Sequence, residues 1–178
     1  MRADTGDTAW MLVASALVLF MTPGPRALLR RHGAQEERAR DVHVLVLCAR
    51  VGHVQWVLFG YSLAFGRTHG GSSAASTDVA CGNVGVEPAG TIPHLAFMAF
   101  QLKFAIITPA LISRGVRRAH ALLGVRVFTL LWTTLVYDPV AHWTWGEGGW
   151  LAKLGVLDFA GGTVVHWTAG VSALVCAL

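Results

Sequence analysis

The stretch "PHLAFMAFQLKFAIITPALIS", residues 93–113, carries one charged side chain, Lys103, and is otherwise apolar or uncharged along its whole length. A membrane helix needs about 20 mostly apolar residues, so this segment reads as a crossing. Its surroundings read the same way. "TAWMLVASALVLFMTPG" opens at Thr8 after a candidate Asp7-Thr8 cap, and "VHVLVLCARVGHVQWVLFGYSLAFG" runs from Val42 to Gly66. "LLGVRVFTLLWTTLVYDPV" begins at Leu122, and a last apolar run extends from Asp158 to Leu178. The expectation is an all-α, polytopic membrane protein with five transmembrane helices, at about 8–27, 42–66, 93–113, 122–140 and 158–178. They form one domain over 1–178, which reads as truncated because the fifth span ends without a flanking loop.

The composition agrees. Of the 178 residues, 54% are hydrophobic and 13% charged, against about 45–50% and about 25% in soluble domains. The mean hydropathy is +0.53. A disordered chain would need the opposite balance. The first span lacks the basic flank and small-residue cleavage site of a signal peptide. Cys48, Cys81 and Cys176 lack metal-site or disulfide-framework spacing, and the net charge of +4 is not arranged with aromatics as in a nucleic-acid module. Arg26, Arg30, Arg31, Arg38 and Arg40 lie between the first two spans, and Arg114, Arg117 and Arg118 between the third and fourth. The positive-inside rule then predicts a plasma-membrane protein with its N-terminus outside and its C-terminus in the cytoplasm.

Four blocks carry a resemblance: "DTAWMLVASALVLFMTPGP", "WVLFGYSLAFG" (Trp56–Gly66), "TIPHLAFMAFQLKFAIITPALI" (Thr91–Ile112) and "VYDPVAHWTWGEGGWLAKLGVLDFAGGTVVHWTAGVSA" (Val136–Ala173). In this order they resemble the ammonium transporter (Amt/Mep/Rh) family, for which "DFAGGTVVH" is a specific string. The resemblance implies a transporter of ammonium or ammonia in the bilayer, not an enzyme, and needing no cofactor. It further implies the first of two inverted repeats, a homotrimer and a PII-type regulatory partner. Between the blocks, "LLRRHGAQEERARDVHVLVLCA" (Leu28–Ala49) and "RGVRRAHALLGVR" (Arg114–Arg126) depart from the family. Back-translated and read one nucleotide later, they yield family-like strings, and "GGSSAAST" (Gly70–Thr77) does so when shifted by two. These stretches read as frameshifted, and their histidines as incidental. Arg50, His53 and Arg126 then stand where the family has apolar residues, so these parts are expected to insert worst.

Ammonium must lose its water before entering hydrocarbon, and aromatic faces replace part of that hydration. Trp145, in "HWTWGEGG", reads from the residues alone as an interfacial belt tryptophan, as do Trp143 and Trp150. The resemblance implies instead a recruiting tryptophan at the pore mouth. Phe100 and Phe104, spaced i, i+4, share a helix face, and bare spacing reads as packing; the resemblance implies the aromatic gate. Lys103 between them is a departure, since a lysine at mid-membrane depth costs about 3 kcal/mol. Asp158 suits a helix N-cap. The resemblance places it near the outer vestibule, binding the cation or holding the site's structure.

His166, an ionisable group at membrane depth, is a functional candidate that the resemblance assigns to a pair of pore histidines. Its partner would belong to the repeat that is absent. Gly161 and Gly162 permit close helix approach, and Trp167-Thr168 depart from the family's usual residues. Two other classes stay open: an ammonium-sensing membrane subunit, and a haem- or metal-binding membrane protein resting on His142 and His166. The leading expectation is a fragment that does not conduct alone.

Overall fold

The computed structural model describes residues 2–22, 35–69, 73–74, 80, 82, 84–112 and 122–178. Side chains are described in all of these but 35–41, 68–69, 73–74 and 122. The chain is mostly helical. Helix α1 (Thr5–Phe20) is capped by Asp4, whose carboxylate accepts from the Asp7 amide at 2.9 Å. The cap therefore lies upstream of the expected Asp7-Thr8 pair. Helix α2 (Gln35–Gln55) runs through a π-helical stretch, Trp56–Gly60, into α3 (Tyr61–Phe65). Helix α4 spans His94–Ile112. Helix α5 (Leu122–Trp132) likewise continues through a π-helical stretch, Thr133–Tyr137, into α6 (Asp138–Trp145). A short α7 (Trp150–Lys153) and a turn lead to a third π-helical stretch, Gly162–Trp167, and to α8 (Thr168–Ala177).

Among the described residues four two-residue strands, which the apolar periodicity did not announce, form two antiparallel pairs. Strands β1 (Thr68–His69) and β2 (Ser73–Ala74) follow α3, and β3 (Pro88–Ala89) and β4 (Ile92–Pro93) lead into α4. Gly90, at φ +69°, supplies the left-handed residue in the second hairpin. The Asp4 amide donates to the Thr91 carbonyl at 2.8 Å, which ties the start of α1 to this hairpin.

Helix α4 is the centre of the bundle: α1, α2 and α8 all pack on it. Met98, Leu102, Phe104, Ala105, Ile106, Ile107, Ala110 and Ile112 are buried, and the core closes on them with Trp56, Tyr137, Ala141, Val164 and Val165. Pro109 lies inside α4 and has no N–H for the preceding turn. Next to it, Thr108 Oγ1 bonds back to the Phe104 carbonyl at 2.6 Å.

The expectation of five membrane-spanning helices is corrected. Among the described residues two helices are long and apolar enough to cross, Val42–Phe65 and His94–Ile112. The first expected span ends early, as α1 has 16 residues and positions 23–27 lie outside the described residues. In the fourth, Arg126, Asp138 and the threonines Thr129, Thr133 and Thr134 dilute the apolar run. The fifth loses its first turn because Asp158 and the residues up to Gly161 form a turn, leaving the shorter apolar helix Gly162–Ala177. Of the stretches read as frame changes, 28–49, 70–77 and 114–126, residues 28–34, 70–72, 75–77 and 114–121 lie outside the described residues. Arg50 and Arg126 themselves lie on exposed faces.

Helices α2 and α4 approach closely at Gly52, where an added Cβ would sit 2.9 Å from Ile106 Cγ2. Ile106 is fully buried at that point, so it has no room to retreat. Gly52→Val is expected to destabilise the bundle by about 1–3 kcal/mol through overpacking, measurable as a lowered thermal midpoint of helical circular dichroism in detergent. A midpoint equal to that of the parent chain would show that the two helices do not meet there.

Candidate functional site

The turn Asp158–Gly161 organises one end of the bundle. Asp158 Oδ1 accepts from the amides of Gly161 and Gly162 at 2.6 and 2.8 Å, and Oδ2 from those of Thr163 and Val164 at 2.8 and 3.0 Å. A helix start leaves its first N–H groups without intrahelical partners, and here one carboxylate takes up four of them. An ionised carboxylate has about four lone-pair sites, so the group is fully engaged by backbone. The turn closes because Gly161 is left-handed, at φ +86°. A Cβ there would also meet Val165 Cγ2 at 2.6 Å.

Trp145, the last residue of α6, donates from Nε1 to the Asp158 carbonyl at 2.7 Å. Its ring meets that of Phe104 edge-on, with centroids 6.0 Å apart at 66°. Phe104 in turn meets Phe100 at 5.1 Å and 76°. Such edge-to-face pairs are favourable beyond their buried area. The structure thus brings Trp145, Phe104 and Phe100 into one ladder leading from the Asp158 turn along α4. Lys103 stands half-buried beside it and makes no hydrogen bond or ion pair among the described residues.

His166 is placed apart from this ladder. It lies in the stretch Gly162–Trp167, where Val164 and Val165 face the core while the His166 and Trp167 side chains are exposed. His142 is buried, with Nδ1 3.1 Å from the Ala64 carbonyl oxygen. One imidazole is therefore sealed inside the bundle and the other open on its surface, an arrangement unlike a shared metal or haem site. Trp143 and Trp150 pair with each other at 6.0 Å.

Sequence reasoning passed over two polar contacts at this end. Tyr61 Oη and His94 Nε2 are 2.5 Å apart, and Gln55 Nε2 donates to Asp138 Oδ2 at 2.5 Å. A buried carboxylate in an otherwise apolar run was the available signal for the second.

The described residues thus form a helical bundle with two helices long and apolar enough to cross a membrane and this aromatic ladder at one end. The profile of the Ammonium Transporter Family matches residues 9–178. An ammonium transporter of Mycobacterium tuberculosis is 41% identical over 201 aligned positions, which take in 98% of this chain and 42% of that protein. One from Bacillus subtilis is 42% identical, over 97% of this chain and 43% of its own length. Among solved structures, Mep2 of Saccharomyces cerevisiae superimposes with a TM-score of 0.84 at 36% identity, covering 97% of this chain and 39% of that one. The chain belongs to the ammonium transporter family, a family of membrane transporters and not of enzymes. It spans about two fifths of the length of these relatives.

Because Asp158 binds four amides, Asp158→Ala is expected to destabilise the chain by about 2 kcal/mol, at the upper end of a lost cap. The loosened turn should also change the fluorescence of Trp145, whose indole N–H bonds to its carbonyl. Unchanged stability and emission in Asp158→Ala would remove the turn from this role.

Proposed function

We propose that this chain supplies one wall of an ammonium or ammonia pathway and does not conduct by itself. The observation that carries the reading is the ladder Trp145–Phe104–Phe100, which sets three aromatic rings in contact with one another beside the Asp158 turn. Trp145 serves as the recruiting face at the mouth, where cation–π attraction offsets part of the lost hydration. Phe104 and Phe100 form the gate. Asp158 acts through position: its carboxylate is spent on backbone amides, so it holds Trp145 and the following helix in place rather than ligating the cation.

His166 faces outward, where a second wall would complete the lining. This matches the share of the relatives' length that the chain covers, and with it the placement as the first of two inverted repeats. Relatives of full length would contribute that wall, and assembly as a homotrimer with a PII-type regulator on the cytoplasmic side follows from the same membership. In the bilayer, the end bearing Asp4, Trp145 and Asp158 lies outside and the arginine-rich segment from Arg26 to Arg40 lies in the cytoplasm.

Lys103 opposes conduction, since its charge repels a cation beside the ladder. In liposomes holding the chain alone, an imposed ammonium gradient is expected to produce no saturable current or pH change. A saturable signal lost in Trp145→Ala or His166→Ala would overturn the non-conducting reading. Asp4→Cys should react with an impermeant thiol reagent from outside and Arg38→Cys from inside; the reverse pattern would invert the orientation.

A further inference from the structure

Asp138 is the first residue of α6, directly after the π-helical stretch Thr133–Tyr137, and its exposure is 0%. Gln55 is the last residue of α2, directly before the stretch Trp56–Gly60, and is also buried. Their side chains meet at 2.5 Å across the two helices, with Thr134 Oγ1 3.4 Å from the same amide terminus. The Gln55 amide reaches forward along its own helix to lie against position 60, which leaves room for it only as glycine. A Cβ there would fall 2.6 Å from both terminal atoms of the amide.

No cation among the described residues meets Asp138. Among the described residues its Oδ1 has no partner, and neither has the second amide atom of Gln55 or Tyr137 Oη. Thr134 and His142 are its i−4 and i+4 neighbours on the same face, and His142 directs Nδ1 at the Ala64 carbonyl. Trp56 packs edge-on against Tyr137 at 6.3 Å. Among the described side chains Lys103, Arg50 and Arg126, cations of the surrounding helices, form no ion pair with it.

A carboxylate buried without a cation takes up a proton in preference to staying charged. The separation points the same way. Amide N–H···O bonds run from about 2.7 to 3.2 Å, whereas O–H···O bonds reach down to about 2.5 Å. The two ends of a glutamine amide have the same shape and are assigned from their bonding. An oxygen of Gln55 facing an O–H of Asp138 fits the distance.

We propose that Asp138 is a proton-binding site, a neutral carboxylic acid that donates its O–H to Gln55 Oε1 and joins α2 to α6 as an acid–amide pair. A proton needs no cavity. Holding it also removes a fixed negative charge that would trap a cation inside the bundle. The pair is independent of the ladder and of any transport by it.

Infrared spectroscopy of the full chain in lipid nanodiscs tests this, with exchange into D2O to mark acid O–H groups. A protonated-carboxyl C=O band should persist from about pH 5 to about pH 9, although ordinary carboxyls ionise near 4. The band should vanish in Asp138→Asn and move to higher frequency in Gln55→Leu, which deprives the acid of its acceptor. Should Asp138→Asn fail to fold by circular dichroism, the Gln55→Leu shift decides alone. Absence of the band above about pH 7, or a band unmoved by Gln55→Leu, overturns the proposal.

Discussion

Four backbone amides converging on the Asp158 carboxylate fix the end of the molecule at which its chemistry is concentrated. Without them, the start of the last helix would leave those N–H groups without partners inside the helix. With them, the turn is rigid enough for its own carbonyl to anchor the Trp145 indole, and Trp145 then sets the first step of the aromatic ladder onto α4. The carboxylate acts at a distance from the rings by holding the backbone that holds the tryptophan. Glycine at position 161 is part of the same device, because only a residue tolerant of positive φ closes the turn against Val165.

Helix α4 plays the complementary part. It is wrapped by α1, α2 and α8, and its side chains alternate between filling the core and forming the ladder. Small residues on its neighbours allow this density. Gly52 lets α2 press onto Ile106, and Gly60 makes space for the Gln55 amide. Some of the polar groups inside the bundle bond locally, as with Thr108 and Thr133, whose hydroxyls return to carbonyls one turn back.

Much of this was legible in the residues, for reasons that differ by element. The crossing at 93–113 was readable because length and hydropathy suffice for a buried apolar helix, and the structure places α4 within one residue of that reading. The helix cap by Asp158 was readable from carboxylate chemistry at a helix start. Hydropathy misjudged the outer spans, because it cannot tell a turn residue such as Gly161 from a helical one and gives no warning of the turn that shortens the last helix. The i, i+4 spacing of Phe100 and Phe104 announced their shared face, but their junction with Trp145 depends on a tertiary contact between α4 and α6 that no local pattern encodes. The Gln55–Asp138 contact, between residues far apart in sequence, was hidden for the same reason. His166 was singled out for being ionisable, which says nothing about which way it points.

The three π-helical stretches each hold one residue more per turn than an α-helix would in the same place. Because an α-helix rotates about 100° per residue, each widened turn sets the phase of everything beyond it. Tightening Thr133–Tyr137 by one residue would swing Asp138, His142 and Trp145 around the axis together, carrying the indole off the Phe104 edge and the acid off Gln55. A single-codon deletion there would leave composition, hydropathy and helix content nearly untouched while dismantling both arrangements at once. The widened turns therefore act as angular spacers, and the chain's tolerance to length change is lowest where its secondary structure looks most continuous.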